Sequence, residues 1–487
     1  MASESGGTVP YQGNDKLLYG IILGVITFWL FAQTTLNVAP DMGKDLGLDR
    51  NLMNIAVAIT ALFSGIFIVV IGGLADRVGR LKTVKIGFYL SIIGSLLIAM
   101  APAGSLASAF LLAGRALQGL SAACIMPASL ALVKTYWDGP ARQRAVSLWS
   151  IGSWGGSGLC SLFGGLVAQN FGWRYIFFAS IAVAIVGLVM IQGTPESKAQ
   201  SKAGYKFDFV GVITFMITMV ALQIVVTQGN KLGWTSPLIL GLAAVAVIFG
   251  IVFFRTEARA EQGFVDFKLF NNSTYTGATI SNFLLNGVAG TLIVSLQLVQ
   301  LGGSMTAQQA GMLTLGYAIA IIAFIRVGEK LLQRFGARKP MIWGCLITGL
   351  SILMLSPANI MLSDYKILAI IAYTLFGVGL AFYATPSTDA ALSNLPAAQA
   401  GSGAGIYKMA SSLGAAFGVA ISAAIFTALS SDASSVNWLE GVITFQGRQD
   451  NLAVREAAIV ALMFNVVMVV VAIISIMLTV PKGKKET

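Results

Sequence analysis

The chain has no histidine, only three cysteines, and charged side chains at just 10% of its 487 positions. Without histidine there is no Ser-His-Asp or Cys-His nucleophile pair, no His-ligated zinc and no imidazole proton relay. A soluble globular chain carries about 25% charged residues, so a soluble multidomain enzyme is excluded. Cys124, Cys160 and Cys345 all lie in apolar stretches, which argues against a disulfide framework. No nucleophile–base set or metal cluster is apparent, and neither an enzyme nor a cofactor is expected.

What the chain does have is apolar length. About 20 mostly apolar residues cross a bilayer as a helix. Fourteen stretches qualify: 17–39, 52–74, 84–101, 106–135, 145–169, 173–192, 209–227, 238–254, 275–300, 311–329, 341–362, 367–389, 404–429 and 457–480. The first lacks a basic leader and a clear small-residue cleavage site, so it reads as a span and not a signal peptide. The net charge of +11 raises the question of acidic partners, but the loops answer it. Counted loop by loop, Lys and Arg favour the side of the N-terminus by about three to one, which is the positive-inside pattern. The basicity is therefore topological. A multi-pass protein of the cell membrane with both termini cytoplasmic is expected, and nucleic acid is not.

Two connections break the run of short loops. Residues 193–208 are polar and Lys-rich and read as a cytoplasmic linker. Residues 430–456 form a long outer loop with apolar stretches at 436–439 and 442–445, expected as a hairpin or short helix on the outer surface.

An internal repeat is visible. Gly73-Leu74-Ala75-Asp76-Arg77-Val78-Gly79-Arg80-Leu81-Lys82 follows the second span, and Lys330-Leu331-Leu332-Gln333-Arg334-Phe335-Gly336-Ala337-Arg338-Lys339 follows the tenth. The frame of Leu, Arg, Gly and a basic end recurs, with Gln333 where Asp76 stands. The expected organisation is an N-terminal six-helix bundle (1–195), a linker with an extra hairpin (196–262) and a C-terminal six-helix bundle (263–487). Repeated halves around a midplane site are a transporter signature.

Three stretches carry chemistry. In the turn after span two, Gly73 and Gly79 permit tight backbone geometry. Asp76 is placed to accept bonds from the start of the next helix and to pair with Arg77 or Arg80, forming a conformational latch. Arg115 sits inside span four, where a charge costs at least about 3 kcal/mol. It either tunes a nearby carboxylate or is held by backbone carbonyls. In span five, Gly152, Gly156, Gly164 and Gly165 allow close packing in lipid and suggest a sliding seam between the halves.

These segments resemble the signature motifs of the major facilitator superfamily: the loop after span two, the Arg-Gln-Gly of span four and the glycine motif of span five. Fourteen spans resemble its drug:proton antiporter branch, with the greatest similarity to the Nor-type quinolone and multidrug efflux pumps. Matching stretches include 26–33, 150–158, 281–291 and 383–389. The resemblance implies an all-α polytopic fold of two six-helix bundles plus two extra linker helices. It also implies monomeric, proton-coupled export of amphipathic drugs by alternating access, with export of an endogenous amphiphile as the alternative. The chain departs from the pattern at Cys160-Ser161, where relatives have Gly-Pro. A second departure is residues 32–38, which lack the acid many relatives carry in span one.

With no histidine, a carboxylate is the natural proton carrier. The membrane-associated candidates are Asp41, Glu329 and Asp389, with Arg115 as a modulating cation. Lys408 is expected to pair with Asp389, and Arg326 with Glu329 on one helix face. Residues at other span midpoints form the candidate drug cavity: Gln33, Asn37, Trp149, Trp154, Asn282, Asn286, Gln297, Tyr317, Tyr373 and Tyr383.

Overall fold

A computed structural model describes residues 11–199, 208–260, 263, 265–431 and 439–483. These residues are helical with no β-strand among them. We number the long helices α1 (Asp15–Leu46), α2 (Ile55–Val78), α3 (Arg80–Ala99), α4 (Ala107–Tyr136), α5 (Gly139–Asn170), α6 (Arg174–Met190) and α7 (Phe209–Leu232). The series continues with α8 (Pro237–Arg259), α9 (Ser273–Gly302), α10 (Gln309–Phe335), α11 (Arg338–Leu355), α12 (Leu362–Ser393), α13 (Ala397–Ser430) and α14 (Leu452–Thr479). Several begin where a polar residue precedes an apolar run. Asn14, Asp49, Asp208, Ser236 and Asn272 each accept a bond from the backbone N–H three residues on, which satisfies one orphan donor of the first turn.

Among the described residues, twelve helices qualify by length and apolarity to cross a membrane. Helices α5 and α6, folded back on each other at 119°, qualify only as a pair, giving up to thirteen. Both pack along neighbouring helices of the first half. Arg174, at the start of α6, donates to the carbonyls of Ala99 and Ala101 at the end of α3 (2.8 and 2.9 Å). The chain leaving α6 returns to the start of α3, where Glu196 accepts from Leu81 and Lys82 (2.8 and 2.9 Å). Helix α5 likewise runs the length of α1, from the Arg144–Asp15 pair to the contact of Gly164 with Thr34.

The repeat is present in the packing. Helix α4 lies against α2 and α3, and α6 against α1 and α3; eight helices later α12 lies against α10 and α11, and α14 against α9 and α11. Small residues let backbones approach: a Cβ on Gly94 would lie 2.8 Å from the Gly114 carbonyl, and one on Gly344 would lie 2.6 Å from that of Gly379. The two halves meet through α2 on α13 and α5 on α10, a crossed pairing with pseudo-two-fold character. Helices α7 and α8 pack on each other, and α7 touches both α2 and α13.

Three helices carry π-turns: α1 at Thr27–Phe31, α5 at Ile151–Gly155 and α9 at Leu298–Gly302. The first two face each other. The bend that relatives obtain from proline is absent at Cys160-Ser161, where α5 stays helical and Cys160 donates to the Ser157 carbonyl. The irregularity sits two turns earlier, in the glycine-dense run.

In the long outer loop, residues 440–451 are turns and irregular chain; 432–438, which hold most of the first apolar stretch of the expected hairpin or short helix, lie outside the described residues. The strap is fastened. Gln446 donates to the Asn359 carbonyl (2.7 Å), Arg448 to Ser304 (2.7 Å), and Arg455 stacks on Phe445 (5.2 Å). Arg455 itself is buried in the first turn of α14 and donates to the Ala358 and Ile360 carbonyls.

Candidate transport site

The basic end of the bundle holds a network that crosses the halves. Asp76, near the end of α2, accepts from the backbone N–H groups of Gly401 and Ser402 (2.8 and 2.9 Å). These belong to α13, in the other half. The aspartate thus caps a distant helix start, and the expectation that it caps the next helix, α3, is corrected. Glu196 fills that role, an acid the sequence analysis passed over although it closes the Lys-rich linker's entry. Arg80 holds Asp76 (2.9 Å) and reaches Thr135, Ser197 and the Ala397 carbonyl (2.8, 3.1 and 2.5 Å). The partner is therefore Arg80; Arg77 stands half-buried on the flank.

Glycine makes this contact feasible. A Cβ on Gly72 would lie 2.5 Å from the Gly401 carbonyl, and one on Gly401 would lie 2.4 Å from the Gly72 carbonyl. Gly79 has φ of 132° and lies against the Glu196 carboxylate. Gly73, singled out from sequence, is half-buried beside this approach.

A second cross-half link is Asp389 with Arg142 (2.9 Å), joining α12 to the start of α5, with Gln143 at 3.5 Å. Lys134 adds a bond to the Ser393 carbonyl (3.2 Å). Lys408 does not pair with Asp389. Its ammonium lies over the rings of Trp149 (5.1 Å) and Trp29 (5.9 Å). Glu329 pairs with Arg326 as expected and also receives Gln333, all within α10. Asp41 is exposed at the opposite end. The three carboxylates are thus not brought together.

Arg115 is fully buried and meets no carboxylate. It donates to the carbonyls of Ala56 (2.9 Å), Ala32 (2.7 Å) and Val57 (3.5 Å) and to Gln118 (2.7 Å). The Ala32 carbonyl lies where α1 passes from π-turn to 3-10 geometry. The arginine therefore occupies a helix irregularity, and of the two roles left open by the sequence the carbonyl-bound one is observed.

The glycines of α5 divide by face. Gly152, Gly156 and Gly164 pack on Ile22, Trp29 and Thr34 of α1, within one half. The seam between halves uses Gly155 on Ile322 (2.8 Å) and Gly158 on Ala318 (3.3 Å) instead. Beyond these, Gly165 and Gly311 have nothing within 4 Å of an added Cβ. The halves are joined at the basic end.

Among the cavity candidates, Trp149, Tyr373 and Tyr383 are fully buried and bonded to Ser129, Ser295 and Ser281 (2.9, 2.6 and 2.6 Å). Asn282 bonds Ser411 and the Tyr407 carbonyl, and Asn286 bonds Asn282. These hold the halves internally. Gln33, Asn37, Trp154, Asn286, Gln297 and Tyr317 keep accessible surface. Trp154 and Tyr317, from opposite halves, both pack on the Ile321–Ile325–Ala381 cluster.

The sequence profile of the Major Facilitator Superfamily matches residues 21–277 and 275–485, nearly the whole described chain in two successive passes. The chain belongs to the major facilitator superfamily. It is 48% identical over 479 residues, 98% of each chain, to the quinolone resistance protein NorB of Staphylococcus aureus strain MRSA252, and equally to that of strain COL. Among solved structures, a proton:xylose symporter, XylE, aligns over 97% of both chains with TM-score 0.62 and 17% identity. The human organic anion transporter MFSD10 aligns over 95% of this chain and 98% of its own, with TM-score 0.62 and 13% identity. Those two establish the fold. As a major facilitator protein the chain is a multi-pass membrane transporter.

Proposed function

We propose that the chain is a proton-coupled secondary transporter that exports amphipathic drugs, quinolones and cationic dyes among them. It works by alternating access as a monomer in the bacterial plasma membrane. The observation that carries this reading is the 48% identity, across 98% of both chains, to proteins named for quinolone resistance. The Lys/Arg distribution puts the basic end, with both termini, in the cytoplasm. The described state is then closed to the cytoplasm by the Asp76 and Asp389 links. Residues 1–195 and 263–487 act as rocking bundles and 196–262 as the insertion between them.

Protonation enters this picture through carboxylates that hold charge pairs. Asp389 is the candidate whose ion pair crosses the halves, so its neutralisation loosens the inner gate; Glu329 acts within α10. Arg115 supports α1 at its irregularity, and Asp41 stands at the outer entrance. Accessible Gln33, Asn37, Trp154, Asn286, Gln297 and Tyr317 supply polar and aromatic surface for a flat amphiphile, while Trp149, Asn282, Tyr373 and Tyr383 set the wall behind it. Expression in cells stripped of their own efflux pumps raises resistance to norfloxacin and lowers ethidium accumulation, and a protonophore abolishes both. Unchanged drug accumulation with the protein inserted in the membrane contradicts the proposal.

A further inference from the structure

Lys408 is a buried cation with an unusual set of neighbours. It is 6% exposed, and among the described residues its ammonium makes no ion pair. It belongs to α13, in the C-terminal half, but lies over Trp29 of α1 and Trp149 of α5, both in the N-terminal half. The charged groups on the surrounding helices are engaged elsewhere or distant in sequence position. On α2, Asp76 is taken by Arg80 and the start of α13, with Arg77 beside it. On α12, Asp389 is taken by Arg142 of α5, and Asp364 and Lys366 lie at the far end. On α5, Arg144 is held by Asp15 of α1, whose Lys16 lies in the same first turn. On α1, Asp41, Lys44 and Asp45 are at the opposite end. On α4, Lys134 is bound to Ser393 and Arg115 to backbone carbonyls. Helix α9 carries no charge, α14 only Arg455 and Glu456 at its far start, and α7 only Lys231 at its far end. The buried hydroxyls of Tyr383 and Tyr407 are occupied by Ser281, Ser387 and Thr388.

The energetics of this seat are one-sided. Removing an ammonium from water is costly even after relaxation, and cation–π contacts return part of that cost when desolvated. Two indoles offset part of that cost and no anion supplies the rest. Lysine, unlike arginine, can shed its proton in such a place. The same two aromatic faces also suit any other flat cation. The buried indole N–H of Trp29 has no acceptor in the structure, so the seat has a donor left over. Trp149 is fixed by its bond to Ser129 (2.9 Å), which keeps its face presented.

We propose that Lys408 is the group that exchanges a proton for substrate, and that a flat aromatic cation takes its place on the Trp29 and Trp149 faces when α13 withdraws. The proposal rests on the export reading above and adds the exchange residue and the seat a cationic substrate takes. One cation replaces another. The ammonium gives its proton to water on the cytoplasmic side and becomes a neutral amine, and the substrate cation occupies the indoles. On the outer side the amine takes up a proton, and the restored ammonium displaces the substrate.

The test uses purified full-length protein and ethidium, whose quaternary nitrogen keeps its charge at every pH used. Binding is followed by fluorescence anisotropy from pH 6 to 9, and proton release by a dye in weak buffer. For the wild type, affinity falls as pH falls, towards tenfold per pH unit, and about one proton leaves per ethidium bound. Lys408→Met keeps ethidium affinity, loses the pH slope and releases no proton. Lys408→Arg, permanently charged, binds ethidium weakly at all pH values. Trp29→Ala weakens binding in either background. A pH slope and proton release that persist in Lys408→Met overturn the proposal and return the proton to a carboxylate. The wild-type proton count stands without any variant, so a count of zero overturns it also. If ethidium fails to bind the wild type at any pH, the export reading fails with it.

Discussion

Arg115 shows what a single intramembrane charge does here. Its planar fork meets carbonyls from two different helices, a geometry that a point charge cannot reproduce. Arg115→Lys leaves at least one buried carbonyl without a donor and is expected to cost about 2 kcal/mol. This is read as a lower melting temperature in detergent, with ΔpH coupling intact in the protein that remains folded. Loss of coupling at unchanged melting temperature contradicts the structural assignment. That Arg115 must bond polar partners was legible in the sequence, because a charge inside a span always needs them. Which partners it finds was not. The carbonyl of Ala32, which also accepts the Thr35 N–H, lies at a change of helix type that no residue pattern announces. Lys408 is the opposite case. Its position in the span suggested an acid partner, and the chain brings two indoles to it instead, because tertiary packing and not sequence spacing decides what faces a buried ammonium.

At the scale of elements, the span pattern and the repeat were readable from apolar length and punctuation, and the packing of α9–α14 reproduces that of α1–α6 eight helices earlier. The glycine run of α5 was readable as a close-packing face but not by direction. Glycines separated by four and eight residues face α1, while Gly155 and Gly158, between them, face α10. Substitutions follow this split. Gly165 has open space, so Gly165→Ala is neutral or stabilises by up to about 1 kcal/mol through helix propensity. Gly156→Val forces branched atoms against Trp29 and the α1 backbone, where a Cβ already stands 3.2 Å from the tryptophan, and costs about 1–3 kcal/mol. Thermal melts of the two variants side by side check the assignment, and equal losses contradict it. In the outer strap Leu439 and Phe445 are buried, Phe445 under Arg455, while Val442 is exposed, a division that the apolar letters alone did not show.

For the whole molecule, the account makes the basic end a gate. Asp76 accepts two backbone N–H groups and an arginine at once, which a carboxylate does and an amide cannot. Asp76→Asn is expected to cost the closed state about 1–3 kcal/mol, shifting the balance between closed and open forms by roughly 5- to 150-fold. Spin labels placed on the two halves at the basic end report this as a population of longer distances. Gly401→Val acts the same way by steric exclusion, and Arg142→Gln more weakly. An unchanged distance distribution in both Asp76→Asn and Gly401→Val contradicts the latch. The all-helical architecture and the repeated motif were evident from sequence, and of the fourteen expected spans twelve qualify singly, with a bent pair giving up to thirteen among the described residues. That the latch joins α2 to the start of α13 was not, because the contact spans 325 residues and only folding brings the two together.

The central claim is exchange of drug against protons across two rocking bundles. Its most direct measurement is paired flux in liposomes containing the purified protein, with ethidium and pH followed in the same vesicles. The account predicts that an imposed pH gradient drives ethidium against its own gradient. It also predicts that an imposed ethidium gradient, with no pH difference at the start, drives protons the opposite way. Ethidium movement that proceeds at the same rate with no accompanying proton flux would contradict it.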